Sequence, residues 1–291
     1  MAVLGAGLMG HGIAQVTAQA AKYEVYLCDI KQEFIDNGMR TVKESLLRYL
    51  KKGELTAAEV DQILSRIHPV LDAKTAITDA DLIIEAVPEN LETKKTVLAE
   101  ADKLAKPQAC IVSNTSSISI TKLASATQRP DKFAGMHFFN PPQLMKLVEI
   151  VRGEKTSDET VKLIVETAKK MNKEPIIVKK DVAGFVVNRL LVPTLNEATF
   201  LLSEGMASPE DIDKAAKLGL NWPMGPLTLL DYIGVDTVLS ICEEMQRELG
   251  PKYAPSSLLR EMVEAGRLGR KTGKGIYDWK KNKKMPAHEI S

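Results

Sequence analysis

Two groups of residues have the types and spacing to do chemistry. The first is Gly5-Ala6-Gly7-Leu8-Met9-Gly10, a GxGxxG run that follows a short apolar stretch and opens into the helical pattern His11-Gly12-Ile13-Ala14-Gln15-Val16. Gly5 suits a tight turn, Gly7 lets the backbone approach a pyrophosphate, and Gly10 lets helix and strand pack closely. The whole turn, Leu8 and Met9 included, is therefore a candidate dinucleotide contact. Asp29 closes a second apolar run nineteen residues beyond Gly10. Its carboxylate can accept bonds from both ribose hydroxyls and would repel a 2′-phosphate, which favours NAD over NADP. The alternative is an ordinary strand-to-helix turn, with Asp29 capping the next helix.

The second group centres on a histidine. Taking a hydride from a secondary alcohol needs a base for the hydroxyl proton, and imidazole, with an ordinary pKa of about 6.5, suits the role. Of the four histidines, His11 lies behind the glycine turn, His68 precedes a proline in a connecting segment, and His288 sits in a charged tail. His137 alone ends an apolar strand, before Phe138-Phe139-Asn140-Pro141-Pro142, where paired prolines force a sharp exit. The chain returns through Leu147-Val148-Glu149-Ile150-Val151, and a carboxylate among apolar neighbours needs a partner. An antiparallel return would bring Glu149 beside His137, to fix its tautomer and stabilise the imidazolium. A satisfied core histidine with an edge glutamate facing water remains the other reading.

These groups need a scaffold. Before residue 183, short apolar runs such as Val25-Tyr26-Leu27-Cys28, Leu82-Ile83-Ile84 and Ala109-Cys110-Ile111-Val112 alternate with longer helical patterns, which implies helices covering a largely parallel sheet. Beyond it the apolar spacing is helical, as at Val187, Leu190, Leu191 and Leu195. The expected fold class is α/β: a Rossmann-type domain over 1–182, an all-helical domain over 183–280, and a charged tail or linker over 281–291. Between Ile30 and His68 two helices are expected, the second opened by a capping box at Thr56 and Glu59.

Further polar residues fall at strand ends, where open sheets bind ligands. Glu89 and Lys94 follow the strand Leu82-Ile83-Ile84; each is a ribose-contact candidate or part of a solvated helix start. Asn114 and Ser116, within Ser113 to Ser117, end the next strand or cap a helix. Asn188, on an otherwise apolar face, bonds its neighbours or reaches an interdomain cleft.

Composition removes several classes of function. Lysine plus arginine number 39 against 38 acidic residues, so no global field draws the chain to nucleic acid or an anionic membrane. The apolar stretch from Ala183 to Leu202 is broken by Asn188, Arg189, Asn196 and Glu197, and no membrane span is expected. Cys28, Cys110 and Cys242 are widely spaced, which argues against a metal site or a disulfide framework and fits a reducing, cytoplasmic compartment. The first strand is unusually short, and an earlier start of the native chain is expected on that ground.

Taken in order, the glycine turn, Glu85 to Asn90, Ser113 to Ser117, His137 to Pro141, Gly184 to Arg189, Pro223 to Pro226 and Gly269 to Tyr277 closely resemble the L-3-hydroxyacyl-CoA dehydrogenase family of fatty-acid β-oxidation and butanoate metabolism. The resemblance implies that His137 is the general base toward the 3-hydroxyl and that Glu149 orients it, with Ser116 and Asn188 bonding substrate oxygens. It implies NAD contacts from Asp29, Glu89, Lys94, Asn114 and Ser116, and places Asn140 beside the histidine. An acyl-CoA substrate follows, with Lys51 or Lys52 holding its phosphates, as does a homodimer formed through the helical domain. The continuation past Tyr277 resembles the linker of members fused to an enoyl-CoA hydratase. The rivals are a non-catalytic NAD-binding protein similar to a lens crystallin, and a dehydrogenase of a free hydroxy or sugar acid.

Overall fold

Buried aliphatic runs separated by amphipathic stretches can cover both faces of a parallel sheet, and the first part of the chain does so. The computed structural model describes residues 1–280. Its contacts divide the chain into two units, Met1–Phe185 and the residues from Val186 onward. In chain order the first unit holds β1 (Ala2–Leu4), α1 (Gly10–Gln19), β2 (Val25–Cys28), α2 (Gln32–Lys51), α3 (Ala57–Ser65), β3 (Ile67–Val70), α4 (Ala73–Ile77) and β4 (Leu82–Glu85). It continues with α5 (Leu91–Leu104), β5 (Cys110–Ser113), α6 (Ile120–Ala124), β6 (Phe133–Phe138), β7 (Leu147–Val151), α7 (Asp158–Lys170) and β8 (Glu174–Val178).

The eight strands lie in the order β3-β2-β1-β4-β5-β6-β7-β8. Side chains alternate faces along each strand. Val3, Ile84, Val112 and Ala134 therefore join one core, and Ala2, Ile83, Ile111 and Phe133 the other. The chain works outward from β1 to β3 and then returns to β4, so the direction of winding reverses between β1 and β4. In such sheets the crevice beyond the strand ends at this reversal is where a nucleotide binds.

One pairing breaks the parallel pattern. The connection from Phe139 to Lys146 is shorter than the roughly twelve residues a parallel crossover needs, so β7 returns antiparallel to β6, with His137 opposite Glu149. The Asn140–Pro141 peptide in that connection is cis.

Two details differ from the sequence expectation. His68 is not in a connection: it lies in β3, the edge strand, where Pro69 does no harm because an edge position needs no amide donor. Its Nε2 stands 2.6 Å from Glu24 Oε2. Phe185, expected in the helical part, packs into the core of the first unit. The helix pair before β3 is present, with both halves of the Thr56–Glu59 capping box formed.

The second unit is helical: α8 (Val187–Ser203), α9 (Pro209–Gly219), α10 (Pro226–Ile233), α11 (Val235–Leu249) and α12 (Ser257–Glu264). Leu195, Leu227, Leu230, Val238, Met245 and Leu259 fill its core. The fold class is thus a Rossmann-type domain followed by a helical one. Among the described residues no helix is long and apolar enough to cross a membrane. The tail or linker expected over 281–291 lies outside the described residues.

Candidate active site

The glycine turn sits at the reversal point. Gly5 has φ +105°, and a Cβ there would come 2.6 Å from the Ala86 carbonyl oxygen; one on Gly10 would come 1.7 Å from the Gly5 oxygen. Both positions therefore require glycine for the turn and for helix packing. Gly7 differs: a Cβ would meet nothing within 4 Å, so the space beside it is open. That space faces the start of α1, whose first turn carries no acidic residue and no side-chain cap. Uncapped N–H groups and the positive end of a helix dipole suit a pyrophosphate. Asp29 Oδ2 accepts the Ala6 N–H at 2.6 Å, and Oδ1 accepts the Ile30 N–H at 2.7 Å. Each oxygen keeps a further lone pair for a ribose hydroxyl, so the residues present fit a dinucleotide.

The ends of β4 and β5 carry a second polar network. Glu85, fully buried, ends β4; its Oε1 accepts from Lys94 Nζ at 2.7 Å and from the Val87 N–H at 2.7 Å, and its Oε2 accepts from Ser113 Oγ at 2.5 Å. Lys94 is 1% exposed; it also donates to the Val87 carbonyl at 3.1 Å and pairs with Glu89 Oε2 at 3.2 Å. Its ammonium is thus committed within the protein, which makes it a holder of Glu89 before it is a ligand contact. Glu89 Oε1 in turn accepts from Thr115 Oγ1 at 2.5 Å, the Ser116 N–H at 3.0 Å and the Ser117 N–H at 3.2 Å. Partial burial alone would raise the Glu89 pKa. The Lys94 charge and the bonds from Thr115 and Ser116 outweigh it and hold the carboxyl below its ordinary range.

Sequence reading did not single out Glu85. The available signal was a carboxylate on the last position of an otherwise apolar strand, the same signal that pointed to Glu149. The Asn114 Oδ1 accepts the Phe138 N–H at 2.9 Å, tying the end of β5 to the strand that carries His137.

On β6 and β7, His137 Nδ1 lies 2.7 Å from Glu149 Oε2. The histidine is 6% exposed and the glutamate 0%. The His137 ring packs against Phe139, with centroids 4.5 Å apart, and edge-on to Phe185 at 5.8 Å. Among the described residues no hydrogen bond reaches Nε2. With Nδ1–H donated to the carboxylate, Nε2 is the basic nitrogen. Such a pair can take a proton from an alcohol and store it.

The remaining candidates fall on separate elements. Ser116 lies in the loop gathered by Glu89. Asn140 is exposed after β6, and Lys51 and Lys52 are exposed at the end of α2, with Lys52 Nζ 3.8 Å from Glu54 Oε1. Asn188 belongs to the second unit, where it is 8% exposed in the first turn of α8.

Comparison with known proteins points one way. Residues 1–182 match the model of the 3-hydroxyacyl-CoA dehydrogenase NAD-binding domain, and residues 184–279 match that of the 3-hydroxyacyl-CoA dehydrogenase C-terminal domain. A probable 3-hydroxybutyryl-CoA dehydrogenase of Deinococcus radiodurans is 50% identical over 278 residues, covering 95% of this chain and 99% of its own. The human mitochondrial hydroxyacyl-coenzyme A dehydrogenase is 44% identical over 286 residues, 96% of this chain and 90% of its own. The crystal structure of (S)-3-hydroxybutyryl-CoA dehydrogenase from Ralstonia eutropha superposes with a TM-score of 0.91 at 47% identity, covering 96% of this chain and 98% of that one. With both domain models matched in order along the described residues, the chain belongs to the 3-hydroxyacyl-CoA dehydrogenase family of NAD-dependent oxidoreductases.

Proposed function

We propose that this chain interconverts an L-3-hydroxyacyl-CoA with the 3-oxoacyl-CoA, with His137 as general base and acid and Glu149 as its positioning partner. The observation that carries the reading is the buried His137–Glu149 pair, 2.7 Å apart at the carboxyl end of a strand in an NAD-binding domain. When bound, NAD supplies the acceptor for the C3 hydride. His137 Nε2 takes the hydroxyl proton as that hydride leaves, and the carbonyl forms. Glu149 holds Nδ1–H throughout and stabilises the imidazolium, which in the reverse reaction returns the proton to the oxygen. Phe139 and Phe185 keep water from the ring, strengthening the ion pair as it forms. Glu89, held by Lys94, orders the loop of Ser116, the proposed contact to the substrate oxygen.

The 3-hydroxybutyryl-CoA dehydrogenases among the similar proteins support a short acyl chain as the first substrate to try. The roles of Asn140, Asn188, Lys51 and Lys52 toward acyl-CoA rest on family resemblance. A homodimer formed through the helical unit has the same basis, and the exposed Leu190, Met206, Leu218 and Leu220 of that unit are compatible with it. Light scattering of the purified chain tests the dimer. The activity is tested by following NADH consumption with acetoacetyl-CoA, using free acetoacetate and NADPH as controls. Turnover with the thioester and NADH alone is expected. NADH binding without turnover would favour a non-catalytic protein, and turnover of free acetoacetate a dehydrogenase of free hydroxy acids.

A further inference from the structure

Lys173 is a buried cation that the proposed mechanism leaves unused. It lies between α7 and β8 and is 6% exposed. Its Nζ donates to the Pro142 carbonyl at 2.5 Å and to the Met145 carbonyl at 2.8 Å, and among the described residues no carboxylate pairs with it. A buried ammonium bonded only to neutral oxygens is costly, so what the two bonds hold should matter. They hold the connection from Phe139 to Lys146, which joins the strand of His137 to the strand of Glu149. The next residue extends the clamp, as the Glu174 N–H donates to the Lys146 carbonyl at 2.9 Å.

The same connection is wedged against α1. A Cβ on Gly12 would come 2.8 Å from Pro142 Cδ and 2.9 Å from Gln143 Oε1. One loop therefore touches the helix that opens at the dinucleotide turn and links the two strands of the acid–base pair. Its internal bonds are few: the Leu144 and Met145 N–H groups both donate to the Pro141 carbonyl, each at 3.0 Å. We propose that Lys173 is a positioning residue for the reaction, its ammonium fixing the 139–146 loop and with it the placement of His137 against the dinucleotide side of the sheet. The proposal rests on His137 being the base.

Burial is the single influence on the Lys173 pKa and lowers it to about 8. The titratable groups on the surrounding elements are His11 on α1, His137 on β6, Glu149 on β7, Lys146 in the loop, Asp158, Glu159, Lys162, Glu166, Lys169 and Lys170 on α7, and Glu174 on β8, and none contributes. Above that pH the ammonium becomes an amine, and its charge-assisted bonds become neutral ones of roughly half the strength. Arginine at this position would stay charged. Because the folded pKa lies below the unfolded one, this group adds to global stability as pH rises from about 8 to 10.5. Releasing the loop would expose the ammonium, so by the same linkage loop closure also gains over this range.

The test compares the full wild-type chain with Lys173→Met and Lys173→Arg. Three quantities are read across the range: kcat for acetoacetyl-CoA reduction, NADH affinity, and amide protection in 139–146 corrected for intrinsic exchange. In the wild type, loop protection should rise above a midpoint of about 8. Lys173→Arg should lack that midpoint. Lys173→Met should have a kcat lower by up to about 10²-fold, the cost of a misplaced catalytic group, with NADH affinity within about twofold, under 0.5 kcal/mol. Wild-type loop protection and kcat in a folded Lys173→Met, or an unchanged midpoint in Lys173→Arg, would overturn the proposal. If the methionine variant does not fold, the arginine contrast decides. An active His137→Gln enzyme would instead sink the base assignment, and loop protection would still read Lys173.

Discussion

Both units of this chain bury carboxylates, and they use them differently. In the first unit Glu149 faces an imidazole, a group that can gain and lose a proton. In the helical unit Asp213 accepts from the Leu227 and Thr228 N–H groups, Thr228 Oγ1 and the Tyr277 hydroxyl. Asp231, 1% exposed, accepts from the Ile276 and Tyr277 N–H groups and from Trp279 Nε1. These donors fix the 269–279 segment onto α9 and α10 but cannot exchange a proton near neutral pH. A buried carboxylate is therefore not in itself a mark of catalysis; the partner decides.

The sharpest way to break that comparison is to remove the exchanging partner. His137→Gln should lower kcat by about 10³-fold or more while leaving NADH binding and the melting temperature near wild type, because general base catalysis accounts for roughly 10²- to 10⁴-fold. Near-normal turnover would mean that the pair is structural, like those of the helical unit. Glu149→Gln keeps the shape and removes the charge that stabilises the imidazolium. A loss of about 10²-fold in kcat is expected, toward the lower end of the same range, and an unchanged kcat would demote Glu149 to a packing residue.

The counterpart in the helical unit is Asp231→Asn, which deprives the Tyr277 N–H and Trp279 Nε1–H of their acceptor. Denaturant titration should show a loss on the order of 3 kcal/mol, since each orphaned buried donor costs about 1–3 kcal/mol. Turnover per folded molecule should stay within about threefold, a change of under 0.7 kcal/mol in barrier. A selective loss of kcat at full stability would reverse the assignment of roles.

The smallest effect expected is in acid. Glu89 titrates below its ordinary value of 4.5, so the stability it contributes is present above that value and is lost as pH falls through the lower, folded one. Burial raises the Asp231 pKa above its ordinary 3.8, against the bonds it accepts, so the folded state binds the proton first and acidification through that window favours the fold. The two tryptophans, Trp222 and Trp279, both belong to the helical unit and report on it alone. On lowering the pH, NAD affinity measured by calorimetry should weaken before tryptophan fluorescence changes. The opposite order would show that the Glu89 network is not the acid-sensitive element.

Sequence alone determined the class of fold and offered the juxtaposition of His137 and Glu149 as one of two readings, because both rest on local pattern. Apolar runs of strand length separated by helical spacing define a parallel sheet. The glycine turn declares itself by where it falls between strand and helix. A charged residue inside an apolar strand, as at Glu149, announces a partner, and the short proline-bearing connection after His137 made the antiparallel return readable. What tertiary structure alone decided is how the polar groups share one another. Glu85, Lys94, Glu89 and the 115–117 backbone come from separate segments, and no spacing in the chain says that Lys94 would be spent on two carboxylates. Asn114 read as a ligand contact or a helix cap, and only three-dimensional proximity shows its oxygen accepting the Phe138 N–H. No motif marks Lys173, and only its contacts with the 139–146 loop show it buried. Hydrophobic periodicity is written along the chain, whereas the satisfaction of buried polar groups depends on which distant segments meet, and that is settled only when the sheet is assembled.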